Sequence, residues 1–347
     1  MGNNEVFQTQ DVLVFPTTRH PRFRMIDVGR KRPTRRCAVA CGTIHMNRAA
    51  FEAIQNETLP KGDVLALAEA AGIMGAKKTS DLLPMCHPLP LEQVTIQCEL
   101  NELENSVTVY AQVIAFAKTG VEMEALSGVN TALLTLWDLT KGVDPNLAIE
   151  GVSLLVKMGG KSGVWVNPAG IPDWLAVQLP DEKPLVGQKA AILVLSDRAA
   201  QGVYTDQSSP VLKTVLEQMG AELCCQRVIP DDPTLIASAL REICSQEKPA
   251  LLIASGGTGP GPRDITPEVL TQVCDRLLTG LGELLRAESR HYTDTAWLSR
   301  MTAGMMGATL VIAFPGSPKA VKECWDIIAP FIGDALQKIK KQGYEAS

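Results

Sequence analysis

A glycine-rich stretch in the second half of the chain has the composition of a phosphate-binding loop. It reads SGGTGPGPRDITPE from Ser255 to Glu268, and it follows the apolar run Leu251–Ala254, which is typical of a buried strand. Glycines let backbone N–H groups approach a ligand closely, and the N-terminus of a following helix adds partial positive charge. We expect Thr266 to cap that helix and Pro267 to occupy its first turn. The expected ligand of the loop is therefore an anion.

Charged side chains accompany this loop. Arg263 supplies a cation for phosphate, and Asp264 supplies a carboxylate for Mg²⁺. The loop lacks the lysine of a Walker A motif and the spacing of a dinucleotide-binding GxGxxG motif. Polar residues also follow two other apolar runs, at 196–198 and at Asp231. Because ligands of open α/β sheets bind at the carboxyl ends of the strands, these groups are expected to converge on one crevice. An ordinary surface turn remains the alternative for the loop alone.

The first half of the chain offers lysines and carboxylates instead of a glycine loop. Asp138 and Lys141 lie three residues apart on a predicted helix and therefore share a face, and Lys61 precedes the start of another helix. Glu122 and Glu124 lie at the start of the helix that carries Asp138, where carboxylates meet the helix dipole favourably. Taken singly, each of these residues has an ordinary explanation as a surface ion pair or a helix-end charge.

Basic residues cluster in two further places. The run RKRPTRR spans Arg30 to Arg36, and Lys157 and Lys161 flank a Gly–Gly turn. The whole chain has 33 Lys+Arg against 38 Asp+Glu, a formal charge of −5, whereas a dedicated nucleic-acid-binding protein would normally be basic. The basic residues are therefore interpreted as contacts to a small anionic substrate. His87, next to Cys86, is alone in its region, and a lone histidine is more often structural.

The length and composition of the chain indicate two globular domains. It has 347 residues, of which 46% are hydrophobic. Four prolines and a DEK cluster mark a linker, so we divide the chain into a domain at 1–167, a linker at 168–186 and a domain at 187–347. No apolar run is long enough to cross a membrane. The nine cysteines form no CxxC pair, which predicts reduced thiols in a cytoplasmic protein without structural zinc.

The two domains are expected to have different folds. In the first, alternating residues at 94–100 and 107–113 predict an antiparallel hairpin, and helices are expected at 48–56, 63–83 and 121–141. This pattern predicts an α+β domain of ferredoxin-like type, with helices on one face of an antiparallel sheet. In the second, short continuous apolar runs alternate with helical segments. They predict a doubly wound, three-layer α/β domain with a mostly parallel sheet.

Five motifs of the second half occur in order and resemble the MoaB/MogA family of molybdenum-cofactor biosynthesis. They are LSDRAAQGVYTD, VIPDD, SGGTGPGPRDITPE, WLSR and FPGSPKAVKE, and the resemblance covers residues 188–340. It implies binding of molybdopterin and, as in MogA-like members, its adenylylation with Mg²⁺ and ATP. It places the key acidic residues at Asp231 and Asp264, with Asp264 as Mg²⁺ ligand. It places phosphate and pterin contacts at Ser196, Asp197, Arg198, Gly256, Gly257, Thr258, Gly259, Arg263, Ser299, Pro315 and Gly316.

Four motifs of the first half resemble the MoaC family, cyclic pyranopterin monophosphate synthase. They are MIDVG, KGDVLALAEAAGIMGAKKTSDLLPMCHPL, KTGVEMEALSGVNTALLTLWDLTK and KMGGKSG, within residues 24–163. The resemblance implies conversion of a 3′,8-cyclised, GTP-derived triphosphate into cyclic pyranopterin monophosphate and pyrophosphate. It assigns acid–base roles to Asp138, Lys141 and Lys61. It assigns substrate contacts to Arg36, Met85, Cys86, His87, Glu122, Met123, Glu124 and Lys157, and the Gly–Gly turn adds Lys161.

The sequence thus predicts a fusion of two proteins of one pathway, acting on small pterin and nucleotide substrates. Two alternatives remain open. The second domain could bind molybdopterin without catalysis, or the chain could be a scaffold whose partners are other enzymes of molybdenum-cofactor biosynthesis. The resemblances also imply a homo-oligomer, hexameric for the first domain and trimeric for the second. No nucleic acid or membrane is expected as a partner.

Overall fold

The computed structural model describes residues 23–160, 163–181 and 183–344. Lys161 lies outside these ranges. The described part of the first domain contains five strands and four helices: β1 (Thr34–His45), α1 (Arg48–Gln55), α2 (Val64–Lys77), α3 (Thr79–Leu82), β2 (Gln93–Asn101), β3 (Ser106–Ala117), α4 (Glu122–Thr140), β4 (Ala148–Met158) and β5 (Val164–Val166). The strands form one antiparallel sheet in the order β2-β3-β1-β4-β5. The predicted α+β class and its hairpin are confirmed.

Alternation along β1 separates the two faces of this sheet. Ala38 and Ala40 belong to the core beneath the helices, whereas Val39 faces the opposite side. Helix α4 lies close to β1 because Gly42 has no side chain. A Cβ at that position would come within 2.8 Å of Leu133 on α4. Helix α4 therefore lies directly on the sheet, with its two ends accessible from outside.

The proposed linker packs partly against the first domain. It contains a short helix, α5 (Asp173–Ala176), whose Leu175 is buried on the sheet face opposite the helices. Trp174 meets the ring of Tyr110 edge-on, with 5.3 Å between the ring centroids. At the other end of the segment, Leu185 is buried in the core of the second domain. The segment is thus anchored at both ends, which its proline-rich composition did not indicate.

The second domain is built on a six-stranded sheet in the order β7-β6-β8-β11-β10-β9. The first four strands in this order are parallel to one another, and β10 pairs antiparallel with both of its neighbours, β11 and β9. The strands are β6 (Lys189–Leu195), β7 (Glu222–Ile229), β8 (Leu251–Ser255), β9 (Arg276–Leu277), β10 (Ala303–Met306) and β11 (Thr309–Phe314). The helices are α6 (Asp197–Ala200), α7 (Ser208–Gln218), α8 (Pro233–Gln246), α9 (Thr266–Val273), α10 (Thr279–Ser289) and α11 (Pro318–Tyr344), with a 3₁₀ turn at Asp294–Leu298.

Both faces of this second sheet are covered. Along β6, Ile192 belongs to the core shared with α7 and α11, and Leu193 belongs to the core shared with α8 and α9. The predicted three-layer, mostly parallel architecture is confirmed. No helix in the described ranges has the length and apolarity needed to cross a membrane.

One residue of the basic run connects the two domains. Arg32 donates through Nη2 to the carbonyl oxygen of Asp326 at 2.9 Å, and its Nη1 lies 3.2 Å from the carboxylate of Glu288. The Arg32 side chain is only 15% exposed. This arginine was interpreted as part of a substrate contact, but it contacts helices of the second domain.

Candidate active sites

Two lysines share one carboxylate at the C-terminal end of α4. Lys141 Nζ lies 2.7 Å from Asp138 Oδ1, and Lys61 Nζ lies 3.2 Å from Asp138 Oδ2. Hydrogen bonds from Lys141 and then Lys61 lower the pKa of Asp138 below its usual range. All three side chains are more than half exposed. We call this group the lysine–aspartate cluster; it brings together the three residues predicted for acid–base chemistry.

The first turn of α4 holds a second charged group. Lys157 Nζ on β4 donates to Glu122 Oε1 at 3.1 Å. Arg36 on β1 donates from Nε to the carbonyl of Ala117 at 3.2 Å, and burial lowers its pKa. Gly160 lies against Arg36: a Cβ there would come within 1.8 Å of Nη1. The Gly–Gly turn and the basic run are therefore parts of one surface.

A buried carboxyl lies beside this surface. Glu124 is 3% exposed, and its Oε1 accepts a hydrogen bond from the thiol of Cys86 at 3.6 Å. Burial raises the pKa of Glu124. Burial and then the Glu124 charge raise the pKa of Cys86 to about 11, so this thiol is protonated at neutral pH and is a poor nucleophile. Arg36, Cys86, Glu122, Glu124 and Lys157 are called the N-end cluster below.

Three more predicted contacts lie in the same region of the sequence. His87 Nε2 lies 2.9 Å from the carbonyl oxygen of Ile26, so this histidine holds the segment that precedes β1. Met85 and Met123 are 48% and 42% exposed, which leaves their side chains available to a ligand or to another protein chain.

The two clusters lie at opposite ends of α4. Glu122 and Asp138 are sixteen residues apart on one helix, which at 1.5 Å per residue separates them by about 24 Å. This distance is greater than the length of a nucleoside triphosphate. A single copy of the chain therefore does not bring all predicted residues of the first domain to one substrate.

In the second domain, a cavity of about 640 Å³ opens at the carboxyl ends of β6, β8 and β11. Helices α10 and α11 and the 3₁₀ turn complete its walls. The predicted residues that line it are Ser196, Gly256, Gly257, Thr258, Gly259, Asp264, Ser299, Pro315 and Gly316. The predicted convergence is observed for the ends of β6, β8 and β11, whereas Asp197, Arg198 and Asp231 do not line this cavity.

The glycine loop wraps around Asp264. The N–H of Gly261 donates to Asp264 Oδ2 at 2.9 Å, and a Cβ at Gly259 would come within 2.7 Å of the same oxygen. Gly256, at φ 123°, passes so close to Leu195 that a Cβ would lie 2.2 Å from its carbonyl oxygen. Only glycine fits these positions without displacing the carboxylate or the neighbouring strand.

Thr266 does not have the predicted capping role. It is the first residue of α9, it is fully buried, and its hydroxyl donates to the carbonyl of Gly256 at 2.8 Å. The N-cap position belongs to Ile265, which has no capping side chain, while Pro267 occupies the first turn as predicted. Thr266 closes the base of the loop and leaves the N-terminal N–H groups of α9 without a side-chain cap.

Two aspartates at adjacent strand ends exchange hydrogen bonds. The N–H of Asp197 donates to Asp231 Oδ2 and the N–H of Asp231 donates to Asp197 Oδ1, both at 3.1 Å. The other oxygen of Asp231, Oδ1, is buried without a hydrogen-bond partner among the described residues. Burial and then the charge of Asp264 raise the pKa of Asp231. Asp231 and Asp264 thus form an electrostatically unfavourable pair that a cation would relieve.

Two predicted basic residues are engaged outside the cavity wall. Arg263 pairs with Asp197, and the Arg198 guanidinium lies 5.8 Å from the ring centroid of Tyr204. Tyr204 itself lines the cavity. Arg198 therefore lies behind an aromatic wall of the site.

Sequence reasoning missed Arg300, although it quoted the motif WLSR that contains it. Arg300 contacts the backbone of the glycine loop at several points. It also missed Asp206, whose carboxylate accepts the N–H of Ser208 at 2.8 Å at the cavity wall. Ser299 has an extended backbone in the structure, so the side chain of its neighbour Arg300 points to the opposite side.

Comparisons with known proteins match the two halves of the chain to two different families. The MoaC family profile matches residues 25–160, and the profile described as "Probable molybdopterin binding domain" matches residues 191–334. The molybdenum cofactor biosynthesis bifunctional protein of Synechococcus elongatus is 41% identical over 316 residues, covering 91% of this chain and 97% of that protein.

Two further relatives agree. The bifunctional protein of Chlorobaculum tepidum is 38% identical over 321 residues and covers 92% of this chain and 96% of its own. The cyclic pyranopterin monophosphate synthase of Heliobacterium modesticaldum is 48% identical over 144 residues, 42% of this chain and 91% of its own. The chain belongs to the family of bifunctional molybdenum-cofactor biosynthesis proteins, with a MoaC domain followed by a molybdopterin-binding-type domain.

Proposed function

We propose that the first domain converts a 3′,8-cyclised, GTP-derived triphosphate into cyclic pyranopterin monophosphate, releasing pyrophosphate. The observation that carries this proposal is the lysine–aspartate cluster. Opening an imidazole ring, closing a pyrazine ring and forming a cyclic phosphate all require proton transfers near neutral pH. Asp138 holds the amino groups of Lys61 and Lys141 at an accessible surface, where they exchange protons with the substrate.

The N-end cluster supplies the binding charge for the triphosphate. Lys157 and Arg36 offset negative charge, and Glu122 keeps Lys157 in place until an anion displaces it. The buried Glu124 lies beside these cations, and its carboxyl oxygens offer hydrogen-bond acceptors to a pterin ring.

A complete site needs two copies of the chain. Large apolar side chains on α2 and α4 are exposed: Leu67 at 45%, Met74 at 65% and Leu134 at 62%. Burial of this face against a second copy would remove these side chains from water. In a two-fold pair with antiparallel α4 helices, the N-end cluster of one copy meets the lysine–aspartate cluster of the other, so each interface forms two sites.

Complementation tests this arrangement. Lys141→Ala and Lys157→Ala each abolish product formation alone, because each disables every site. Co-expressed, the two variants are expected to regain about one quarter of wild-type activity, since half of the random pairs are mixed and each mixed pair has one intact site. Failure to complement would mean that the site is formed within one copy, and full activity of either single variant would remove that lysine from the site.

We propose that the second domain binds molybdopterin and adenylylates it with ATP. The terminal phosphate oxygen of molybdopterin attacks the α-phosphorus of ATP, the bond between the α-phosphorus and the bridging oxygen breaks, and pyrophosphate leaves with that oxygen. The supporting observation is the cavity that joins the glycine loop to the β11 end at Gly316. Backbone N–H groups of the loop are suited to phosphate, and the wide remainder of the cavity is suited to a ring system.

The acidic residues of this site fit Mg²⁺. Asp231 has an unpartnered buried oxygen and a raised pKa, and Asp264 lies near enough for its charge to contribute to that shift. Carboxylate oxygens are the ligands Mg²⁺ prefers, and it is commonly held by one or two of them together with substrate phosphates. Asp264 and Asp231 would hold the ion, and when bound it would offset negative charge on the pyrophosphate leaving group.

An assay of the full chain separates the catalytic proposal from its alternative. ATP-dependent formation of adenylylated molybdopterin, with stoichiometric pyrophosphate, supports catalysis. Binding of molybdopterin without any turnover of ATP would support a non-catalytic binding module. Absence of both would favour the scaffold alternative for this domain.

We also propose a cytoplasmic location for both activities. The nine cysteines, all within the described ranges, are free thiols, which suits a reducing compartment.

A further inference from the structure

Arg300, which follows the 3₁₀ turn, contacts the glycine loop at several residues. The N–H of Arg300 donates to the carbonyl of Thr258 at 2.7 Å, and its Nε donates to the carbonyl of Gly259 at 2.9 Å. Its Nη2 donates to the carbonyl of Asp264, and its Nη1 pairs with Glu268 in the first turn of α9. One residue therefore binds three carbonyls of the loop and the helix that follows it.

These contacts determine where the loop N–H groups point. In a planar trans peptide, the C=O and the following N–H point in opposite directions. Because Arg300 holds the carbonyl of Thr258, the N–H of Gly259 points away from Arg300. The structure gives no acceptor for this N–H among the described residues, and Gly259 lines the cavity. The N–H is thus available to a ligand oxygen.

The same residue fixes the position of the Asp264 carboxylate. The main-chain carbonyl of Asp264 is bound by Arg300, and its Oδ2 accepts the N–H of Gly261 at 2.9 Å. The main chain and the side chain of Asp264 are held from two sides. Ser299, the preceding residue, has extended backbone and a buried hydroxyl without a partner among the described residues, and it lines the cavity. Ser299 therefore lines the cavity, while Arg300 contacts the loop on the other side.

We propose that Arg300 is a positioning residue that holds the glycine loop in the form that receives the polyphosphate of a nucleotide. This rests on the adenylylation proposed for the second domain. Arg300 acts through its guanidinium N–H donors, which bind the carbonyls of two different loop residues simultaneously. Its charge is partly offset by Glu268. The phosphate itself would be bound by the loop N–H groups and by Mg²⁺.

The planar set of guanidinium donors distinguishes positioning of the loop from simple charge attraction. Arg300→Lys retains the positive charge but lacks the planar set of donors, and Arg300→Gln loses the charge as well. A displaced loop is expected to lower kcat/KM for ATP about a hundredfold in both variants, mainly through kcat, because small misplacements of reacting groups have effects of this size. Molybdopterin affinity is expected to remain near that of the wild type.

Two control variants isolate the carbonyl contacts. Glu268→Gln removes only the exposed ion pair, so kcat/KM should fall by no more than about fivefold. Arg227→Gln removes an arginine that pairs with Glu242, at 2.8 and 2.9 Å, and that makes no contact with the loop. It has a similar side-chain exposure, 36% against 37% for Arg300, and should leave kcat/KM unchanged.

The measurements are steady-state adenylylation by the full chain, calorimetric binding of molybdopterin, and calorimetric binding of Mg²⁺-pyrophosphate. A Lys variant close to wild type would overturn the proposal, because charge would then suffice. The role of Arg300 would be merely structural if kcat/KM for ATP and the affinity for molybdopterin fell equally. The same would follow if a lowered unfolding temperature accounted for the fall in kcat/KM.

Pyrophosphate binding separates this proposal from the proposed function. If the wild type binds pyrophosphate without transferring adenylate, adenylylation fails, and loss of pyrophosphate binding in both Arg300 variants still supports positioning of the loop. Unchanged pyrophosphate binding in those variants overturns the positioning role. If the wild type binds neither ATP nor pyrophosphate, both proposals fail.

Discussion

The two domains gather their functional residues in opposite ways. In the second domain, the glycine loop, Ser196 and Gly316 all follow the carboxyl ends of parallel strands. A single copy of the chain forms a cavity there. In the first domain, the sheet is antiparallel, and the candidate residues lie at the two ends of α4. A parallel α/β sheet thus collects a site within one chain, whereas the site that we propose for the first domain requires a second copy.

The key aspartates of the two candidate sites also differ in their electrostatic surroundings. Asp138 is exposed and held by two lysines, which lower its pKa. Asp231 is partly buried beside another carboxylate, which contributes to raising its pKa. The first arrangement is electrostatically satisfied before substrate arrives and is suited to orienting cations. The second is unsatisfied and gains from a bound cation. The variants below test this contrast, beginning with the largest expected effect.

Removal of either lysine of the first site should abolish pterin formation. Lys61→Ala and Lys141→Ala are each expected to lower turnover about a thousandfold, the size typical of lost acid–base catalysis. Unfolding free energy should change by only about 0.5 kcal/mol because both side chains are exposed. Lys78→Ala, which removes a similarly exposed lysine paired with Asp81, is the matched control. Near-normal turnover in either variant would exclude that lysine from the chemistry.

Neutralisation of Asp264 should affect only the second domain. Asp264→Asn preserves the shape of the loop but removes the anion, so Mg²⁺-dependent use of ATP should fall about a hundredfold, or about 3 kcal/mol. Molybdopterin binding and the first domain's activity should be unchanged. Asp275→Asn is the control, because Asp275 also accepts a glycine N–H, from Gly307 at 2.7 Å, outside the cavity. Equal ATP turnover by wild type and Asp264→Asn would exclude Asp264 from the metal site.

Local sequence signals predicted the fold well and the sites unevenly. Alternation at 94–100 and 107–113 specified the hairpin because one face of each strand is buried, and β2 and β3 extend these runs by a few residues. The continuous apolar runs became strands buried on both faces. The predicted helix at 63–83 divides after Lys77, where Lys78 begins a separate short turn. Helix periodicity does not report such a local break.

Long-range relations were less accessible from sequence. Spacing along α4 placed Asp138 with Lys141, but Lys61 joins them through a tertiary contact for which the family resemblance was the only signal. The same resemblance grouped residues from both ends of α4 without giving their separation. Arg300 was missed because its role depends on the carbonyl directions of a distant loop. The packing of Leu175 was missed because prolines were taken as evidence of an unstructured connection.

The anchored segment between the domains offers a smaller test. Leu175→Asp places a charge in the apolar contact beneath α5 and should destabilise the first domain by about 2 kcal/mol. Leu103→Asp, at a hairpin position that is 96% exposed, is the control and should have little effect. Calorimetry of the full chain measures both. Equal unfolding temperatures for the wild type and Leu175→Asp would mean that this segment does not stabilise the first domain.

The same segment should set where proteases cut. We predict cleavage within 168–186 that releases two folded fragments. Packing of Leu175 and of Leu185 narrows the expected cuts to the stretch between them. Mass spectrometry of the fragments identifies the site. Cleavage elsewhere, with this stretch protected, would indicate that the domains share a core.

The smallest expected effect is a difference between Asp231 and Asp138 in how each contributes to stability as pH changes. A carboxyl whose pKa is raised in the folded protein favours folding at acid pH, and this contribution is lost as pH rises from the ordinary aspartate range through the raised value. Asn at position 231 does not ionise, so Asp231→Asn avoids the destabilisation that the charged carboxylate causes. At neutral pH without Mg²⁺ the variant should be more stable than the wild type by about 1 kcal/mol. For Asp138, whose pKa is lowered, the sign reverses: its contribution is present at neutral pH and lost on acidification.

Mg²⁺ provides the control for this last prediction. The ion should stabilise the wild type by relieving repulsion between Asp231 and Asp264, and it should stabilise Asp231→Asn less. Thermal unfolding of both proteins, with and without Mg²⁺ between pH 5 and pH 8, measures the difference. A wild type that is more stable than Asp231→Asn at neutral pH without Mg²⁺ would show that Asp231 is satisfied in the folded chain. The contrast between the two carboxylates would then not hold, because both would stabilise the protein in their charged form.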